Sequence, residues 1–195
     1  MGDPDGGWDF GHGAGFYLDA TKKPYAKNYR MYSYIVNELR SEILAAFPAD
    51  ADRQGIFGHS MGGHGALTIG LRNPEIYQSI SAFAPICAPI HCPWGEKAFS
   101  LYLGDQHEVW RTYDATELIL SLSEEDARQR PPLLVDQGME DTFLDSQLHP
   151  QLLENACSKV GLQLTLRKHA DYDHGYYFIS TFMEDHLRFH ARILS

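Results

Sequence analysis

One short segment, residues 56–67 with the sequence IFGHSMGGHGAL, constrains the fold of this chain more than any other feature. It places Ser60 in a Gly-x-Ser-x-Gly pattern between an apolar lead-in and a run that is compatible with a helix. A serine on a sharp turn from strand to helix stands clear of the backbone, and the two glycines leave room where side chains would collide. The segment therefore predicts a strand–turn–helix unit with Ser60 as an exposed nucleophile.

Apolar runs and helical periodicities alternate along the rest of the chain. Strands are predicted near residues 54–57, 79–83, 132–136 and 162–168, with helical patterns or proline-broken loops between them. Such alternation predicts a mostly parallel sheet with helices on both faces. The predicted fold class is α/β, and the length of 195 residues fits a single domain over residues 1–195.

Two helices are predicted in more detail. From Tyr29 the apolar residues recur at helical spacing until Pro48, which predicts an amphipathic helix that faces the core. Further along the chain, Asp145 is suited to cap a helix whose apolar face runs through residues 148–160.

The predicted nucleophile needs a base and an orienting carboxylate, because a serine hydroxyl alone is a poor nucleophile. His174 in YDHGYYF follows the last predicted strand, and Asp141 in DQGMEDTFL follows the third. Parallel strands end at one edge of a sheet, so Ser60, Asp141 and His174 are expected to converge there, in the chain order typical of α/β hydrolases. The amide of Met61, at the start of the helix, is expected to bind the oxyanion.

Three other carboxylates remain alternatives to Asp141. Asp136 lies at the end of the same strand, where a structural role is also open, and Glu140 and Asp145 flank Asp141.

Several histidines remain to be assigned. His169, at the end of the last strand, is the alternative base to His174. His59 and His64 lie too close to Ser60 in sequence to act as its base, so they are expected to shape the turn.

Two more histidines, His186 and His190, have the i, i+4 spacing of metal ligands on a helix. Their segment HLRFH lacks the glutamate of a His-Glu-x-x-His zinc site, so we expect a solvated helix face and no metal.

Charge and composition exclude several classes of partner. The formal net charge is −10 and no run of lysines or arginines occurs, so neither nucleic acid nor an anionic membrane is an expected partner. No apolar stretch approaches the ~20 residues of a membrane span. The N-terminal sequence MGDPDGGWDF lacks secretory-signal features, and three cysteines without a CxxC pair indicate reduced thiols. The expected location is cytoplasmic.

Eight segments in order resemble the S-formylglutathione hydrolase family, also called esterase D. They are WDFGHGAGFYLDAT, NYRMYSYIVNEL, IFGHSMGGHGAL, SAFAPI, CPWGEKAFSLYLG, YDAT, DQGMEDTFL and YDHGYYFISTFMEDHLRFHA. The resemblance implies an α/β-hydrolase fold and a cytosolic serine thioesterase that converts S-formylglutathione to formate and glutathione in formaldehyde detoxification. It also implies a side activity on small acyl esters and no cofactor. Carried over by motif, the family's triad falls on Ser60, Asp141 and His174.

The same resemblance identifies candidate pocket residues. The loop from Trp8 to Tyr17, expected at the surface, and the loop around Trp94 are similar to family segments that shape the site. Trp8, Phe16 and Trp94 are therefore substrate-pocket candidates.

One departure from the family pattern bears on activity. Family members carry a further N-terminal portion of roughly a third of their length, with the first strands and a loop whose amide completes the oxyanion hole. The present sequence corresponds to the C-terminal two-thirds of that fold. The strand before Ser60 is expected to have an unpaired edge that favours association, for example as a homodimer. Loss of one oxyanion donor typically costs about 100- to 1000-fold in rate.

Two alternatives to the thioesterase remain open. One is a general carboxylesterase or acyltransferase that uses the same triad. The other is a non-catalytic hydrolase relative that serves as a binding module.

Overall fold

The structure is a computed structural model that describes residues 6–195, so residues 1–5 of the N-terminal stretch considered above lie outside it. The strands are β1 Gln54–His59, β2 Tyr77–Phe83, β3 Leu133–Gly138 and β4 Leu164–His169. The α-helices are α1 Met31–Ser33, α2 Arg40–Ala46, α3 Met61–Arg72, α4 Pro93–Tyr102, α5 His107–Arg111, α6 Ala115–Leu120, α7 Glu124–Gln129, α8 Pro150–Val160 and α9 Tyr176–Leu194. Short 3₁₀ turns occupy Tyr25–Lys27 and Pro89–His91, and π-helical turns occupy Tyr34–Leu39 and Leu144–Leu148.

The four strands form one parallel sheet in the order β1-β2-β3-β4. Parallel neighbours need crossover connections, and α3, α8 and the helices between β2 and β3 supply them. The predicted α/β architecture and all four predicted strands are therefore confirmed. Because every strand runs the same way, the loops after β1, β2, β3 and β4 leave from one edge of the sheet.

Apolar side chains fill the space on both faces of this sheet. On one face, β2 and β3 pack against α3, α6 and α8 through residues such as Leu67, Ile80 and Leu153, all buried. On the other, Phe83 and Phe178 belong to a cluster that includes α4, α9 and the N-terminal loop. Within residues 6–195, no helix combines the length and apolarity needed to cross a membrane.

Strand β1 lies at the end of the sheet and, among the described residues, pairs with β2 alone. Its Phe57 is 43% exposed. The unpaired edge expected for this strand is therefore present in residues 6–195.

The helix expected between Tyr29 and Pro48 is present, but its prediction as a core-facing helix is largely wrong. The helical stretch runs from α1 through a π-helical turn to α2. Val36 is buried against Ile69 and Tyr77, whereas Ile43 is 43% and Phe47 is 61% exposed. Periodicity shows which face is apolar, and burial further requires an element that covers this face. No element within residues 6–195 covers the α2 end.

Two local predictions also need correction. Asp145 does not cap the following helix, because α8 begins at Pro150 after a left-handed residue, His149. The N-terminal loop is not purely a surface loop, since Phe16 and Leu18 are buried in the core while Trp8 is 75% exposed. Glycine-rich loops of this kind still bury aromatic side chains when helices such as α4 and α9 flank them.

Candidate active site

Ser60 lies on the tight turn between β1 and α3. Its backbone N–H donates to the carbonyl of Phe83 at 2.9 Å, and its own carbonyl accepts from the N–H of His64 at 2.9 Å. The residue has φ 59° and ψ −120°, a conformation that disfavours any residue with a Cβ atom. The turn therefore holds Ser60 in a strained geometry at the start of a helix, as a nucleophile elbow does.

The two glycines of the motif make different contributions to this turn. A Cβ at Gly58 would lie 2.2 Å from the carbonyl oxygen of Gly62, so the backbone leaves no space for it. Among the described residues, a Cβ at Gly62 would have one neighbour within 4 Å, the Tyr17 hydroxyl at 3.6 Å. The turn therefore requires glycine at position 58 but has room for a side chain at position 62, whereas the sequence pattern suggested that both glycines are required for space.

Asp141 and His174 are in direct contact. Nδ1 of His174 lies 2.5 Å from Oδ2 of Asp141, whose side chain is fully buried. Asp141 also accepts hydrogen bonds from the amide of Phe143 at 2.9 Å and from Nε2 of Gln137 at 3.2 Å. Gln137, which helps to hold this carboxylate, was not among the residues predicted from the sequence.

These contacts set the protonation of the pair. Burial acts to raise the pKa of Asp141, but the hydrogen bonds from His174, Phe143 and Gln137 outweigh it, and the pKa lies below its usual value. An ionised carboxylate only accepts, so Nδ1 of His174 is the donor. In the neutral ring Nε2 then carries the lone pair, which is the tautomer that a general base requires.

Backbone hydrogen bonds join the two loops that carry these side chains. The amide of Met139 donates to the carbonyl of His169 at 2.9 Å, and the amide of Glu140 donates to the carbonyl of Tyr172 at 2.9 Å. The loop after β3 and the loop after β4 therefore form one hydrogen-bonded unit around Asp141 and His174.

Ser60 and His174 line a common cavity of about 280 Å³. The three pocket candidates from the sequence, Trp8, Phe16 and Trp94, line it too. The lining also includes Met61 and His59, which the sequence assigned to the oxyanion and to the turn, and residues that it did not single out, namely Asp9, Gly13, Ala14, Ile86 and Phe143. The walls are mostly apolar and aromatic, which suits a small acyl group.

Aromatic contacts connect the cavity wall to His174. Trp8 packs edge-on against Trp94 with ring centroids 5.6 Å apart, Trp94 lies 4.8 Å from Phe143, and Phe143 lies 5.1 Å from His174. Met61 is the first residue of α3, so its N–H has no carbonyl partner within the helix. It is available to an oxyanion formed at Ser60.

The alternative residues lie elsewhere. Glu140 and Asp145 are exposed, and Asp136 is buried in a different cluster. His169 lies 3.3 Å from Asp136 and stacks on Phe182 with centroids 3.8 Å apart. The structure therefore brings neither Asp136 nor His169 into the group that lines the cavity.

His59, which the sequence predicted to shape the turn, lies beside the catalytic candidates. Its ring centroid is 4.4 Å from that of His174. Burial, followed by the nearby His174, lowers the pKa of His59 to about 4, so the ring is neutral at pH 7. A neutral neighbour would not oppose a positive charge on His174.

His64 has a structural role in the turn. It is fully buried, and its Nε2–H donates to the carbonyl of Phe16 at 3.1 Å. Burial lowers its pKa to about 4. The hydrogen bond attaches α3 to the loop that forms part of the cavity wall.

Comparison with known proteins places this arrangement in a family. An esterase family model, described as "Putative esterase", matches residues 2–189. A protein of Mus musculus named S-formylglutathione hydrolase is 51% identical over 192 residues, which are 98% of this chain and 67% of the relative. One of Arabidopsis thaliana with the same name is 53% identical over 188 residues, covering 96% of this chain and 64% of the relative.

The chain belongs to the S-formylglutathione hydrolase family. A solved structure of a family member from Agrobacterium tumefaciens is 51% identical, with a TM-score of 0.94 over 100% of this chain and 69% of that one. The fold is therefore that of an α/β hydrolase. The chain spans about two thirds of the length of these S-formylglutathione hydrolases.

The expectation of a solvated face at His186 and His190 is wrong. His186 is fully buried and His190 is 7% exposed. Nδ1 and Nε2 of His190 lie 2.6 Å and 2.8 Å from the hydroxyl groups of Ser79 and Ser81. Ser79 and Ser81 occupy alternate positions of β2, and Gly55 lies beside them on β1. This pattern of small and polar residues in the sheet indicates a buried polar partner, which the histidines of α9 supply.

Within residues 6–195, the histidine, cysteine and acidic side chains form no metal site, and the cysteines are buried. Among residues 6–195, no group of three or more histidine, cysteine or acidic side chains is arranged to hold a metal ion. Cys87, Cys92 and Cys157 are free and buried, as expected for reduced thiols. Burial raises the pKa of Cys92 to about 11 and that of Cys157 to about 12, so neither is a reactive thiolate.

Proposed function

We propose that this chain is a serine thioesterase that hydrolyses S-formylglutathione to formate and glutathione, the reaction after which its relatives are named. One observation carries the proposal: the 2.5 Å contact between His174 and Asp141 prepares a base in the cavity that Ser60 lines. The catalytic assignment of Ser60, Asp141 and His174, with Met61 as oxyanion donor, is part of this proposal.

The first half-reaction forms an acyl-enzyme. Nε2 of His174 takes the proton of the Ser60 hydroxyl while Oγ attacks the thioester carbonyl carbon. The carbonyl oxygen becomes an oxyanion and accepts from the Met61 amide. The intermediate collapses and the carbon–sulfur bond breaks. Nε2 of His174 gives its proton to the leaving sulfur, so glutathione leaves as a thiol and the ring is neutral again. Asp141 stabilises the imidazolium throughout.

The second half-reaction restores the enzyme. A water molecule gives its proton to Nε2 of His174 and attacks the formyl ester of Ser60. The second tetrahedral intermediate collapses, Ser60 recovers its proton from His174, and formate leaves. No step needs a metal or an organic cofactor, because the acid–base pair and the hydroxyl supply all the chemistry.

A general carboxylesterase activity is supported by the cavity itself. The cavity of about 280 Å³, with its apolar lining, has room for acyl groups larger than formyl. Simple aryl acetates should therefore also react, by the same two steps.

A comparison of substrates and variants tests the proposal. Purified chain is assayed with S-formylglutathione and with an aryl acetate, beside the Ser60→Ala variant and a chimera that carries the N-terminal segment of the mouse relative. We expect thioester turnover that Ser60→Ala abolishes, with higher rates in the chimera. A folded chain and a folded chimera that both lack turnover would contradict the enzyme and favour a non-catalytic relative. Preference for the aryl acetate would favour the general carboxylesterase.

Several finer expectations remain predictions. A single domain is tested by one cooperative unfolding transition, and a homodimer by sedimentation at several concentrations. A cytoplasmic location is tested by imaging a tagged chain.

A further inference from the structure

Asp136 is a buried carboxylate on β3, the strand whose following loop carries Asp141. Its side chain is 0% exposed and binds the guanidinium of Arg167 on β4 through both oxygens. Nε of Arg167 donates to Oδ1 at 2.6 Å and Nη2 donates to Oδ2 at 2.5 Å. Nε2 of His169, the last residue of β4, lies 3.3 Å from Oδ1. Asp136 thus fixes the end of β4 from which the loop to His174 starts.

The same carboxylate also binds α9. Oδ2 of Asp136 lies 3.1 Å from Nε2 of His186, and Nδ1 of His186 lies 2.8 Å from the hydroxyl of Ser81 on β2. Although burial acts to raise it, the hydrogen bonds from His186 and Arg167 lower the pKa of Asp136 to about 2. The carboxylate is therefore ionised and only accepts, so His186 is the donor. A buried charge of this kind depends on both of its partners.

The contacts of Asp136 with Arg167 and with His186 lie before and after the His174 loop in the sequence. Residues 170–175 connect β4 to α9, and Asp136 binds the element before this loop and the element after it. The loop itself packs inward through Tyr172, whose ring lies 5.1 Å from that of Phe182. In addition to the direct hydrogen bonds between the two loops, the position of His174 relative to Asp141 depends on where β4 and α9 are held on β3.

We propose that Asp136 is a positioning residue for His174. By binding Arg167 on β4 and His186 on α9, it holds the strand before the His174 loop and the helix after it, so that Nδ1 meets Asp141. The inference rests on the proposed function only for the role of His174 as the base, since the contacts themselves are independent of turnover.

A proton NMR signal provides a direct test. The Nδ1–H in the short His174–Asp141 bond should give a strongly deshielded resonance, which the His174→Ala spectrum assigns by its absence. In Asp136→Asn, a nearly isosteric change, we expect this resonance to broaden or disappear. The matched control is Asp185→Asn. Asp185 is the second carboxylate bound by Arg167, with Oδ2 2.7 Å from Nη1 of Arg167, and its side chain is 51% exposed. Its replacement should leave the resonance unchanged.

Kinetics on an aryl acetate give a second readout. In Asp136→Asn we expect kcat to fall by about 10- to 100-fold, as for a misplaced catalytic group, with KM nearly unchanged. If the chain shows no turnover but the resonance responds as expected, the proposed function fails and the positioning role stands. A folded Asp136→Asn protein with the wild-type resonance overturns the positioning role.

A second pair of variants decides the question if Asp136→Asn does not fold. The ring of His186 stacks on Phe83 with centroids 3.7 Å apart, so His186→Phe keeps this contact and removes the N–H donor. His186→Gln keeps a donor. We expect the deshielded resonance to be lost in the Phe variant and restored in the Gln variant. An unchanged resonance in His186→Phe contradicts the proposal.

Discussion

Nδ1 of His174 lies 2.5 Å from Oδ2 of Asp141, and this contact sets the tautomer of the ring. The loops after β3 and β4 meet at this point, where two backbone hydrogen bonds hold them together. Through this contact, a carboxylate that is distant in sequence orients the base that we propose for Ser60.

Replacement of Asp141 by Asn tests this relationship. The amide favours the wrong tautomer of His174, so we expect kcat to fall by about 10⁴-fold, the loss typical of such a change in a Ser–His–Asp triad. Glu140→Gln is the matched control, because Glu140 is the exposed neighbouring carboxylate and should leave kcat within about twofold. Steady-state kinetics on both variants decide the assignment. Equal losses in the two would show that Asp141 has no special role.

The two glycines around Ser60 should differ sharply in their tolerance to alanine. Gly58→Ala forces a Cβ against the carbonyl group of Gly62, so we expect it to lose about 1–3 kcal/mol of unfolding free energy and most activity. Gly62→Ala has no such clash and should retain the fold at a cost near that of an ordinary surface change. Urea denaturation of both variants measures the difference. Similar stabilities for the two would contradict the geometry of the turn.

The strain at Ser60 predicts an unusual stability effect. Its φ of 59° is a conformation that glycine adopts easily and alanine does not. Ser60→Gly and Ser60→Ala both remove the hydroxyl, but the Gly variant should be the more stable by about 1 kcal/mol. The comparison is made by urea denaturation of the two inactive variants. A more stable Ala variant would mean that the turn is not strained.

The buried ring of His64 predicts a pH dependence of stability. Its pKa is lowered from 6.5 to about 4 in the folded state, so the unfolded chain binds a proton first as the pH falls. The stability from the neutral ring is therefore present above pH 6.5 and is lost as the pH falls toward 4. His64→Gln keeps an N–H for Phe16 but does not titrate. Between pH 6.5 and pH 4, the unfolding free energy of the variant should fall less steeply with decreasing pH than that of the wild type. The two slopes should differ by up to about 1.4 kcal/mol per pH unit. Equal slopes would contradict the buried neutral state.

Much of the sheet and of the site was predictable from local patterns. Strand runs and the turn around Ser60 are local signals, and parallel strands necessarily bring the loops of Asp141 and His174 to one edge. Burial was less predictable. Ile43 has the periodicity of a core residue yet is exposed, because helical spacing does not show whether another element covers the face.

The buried histidines illustrate the opposite error. His186 and His190 looked like solvated helix residues, since a polar residue on a helix is usually exposed. Their burial depends on Ser79 and Ser81, which are distant in sequence and supply the hydroxyl groups that satisfy the rings. The two serines on alternate positions of β2 indicate a polar partner, but the element that supplies it is identified only when β2 and α9 are placed together.

The most direct test of the account is to identify the residue that an organophosphorus fluoride modifies. This reagent reacts with a serine hydroxyl that a neighbouring base activates, and peptide mass mapping locates the adduct. We predict one adduct, on Ser60, formed much more slowly in His174→Ala and absent in Ser60→Ala. An adduct on another residue, or an unchanged rate of labelling in His174→Ala, would contradict the claim that His174 and Asp141 activate Ser60.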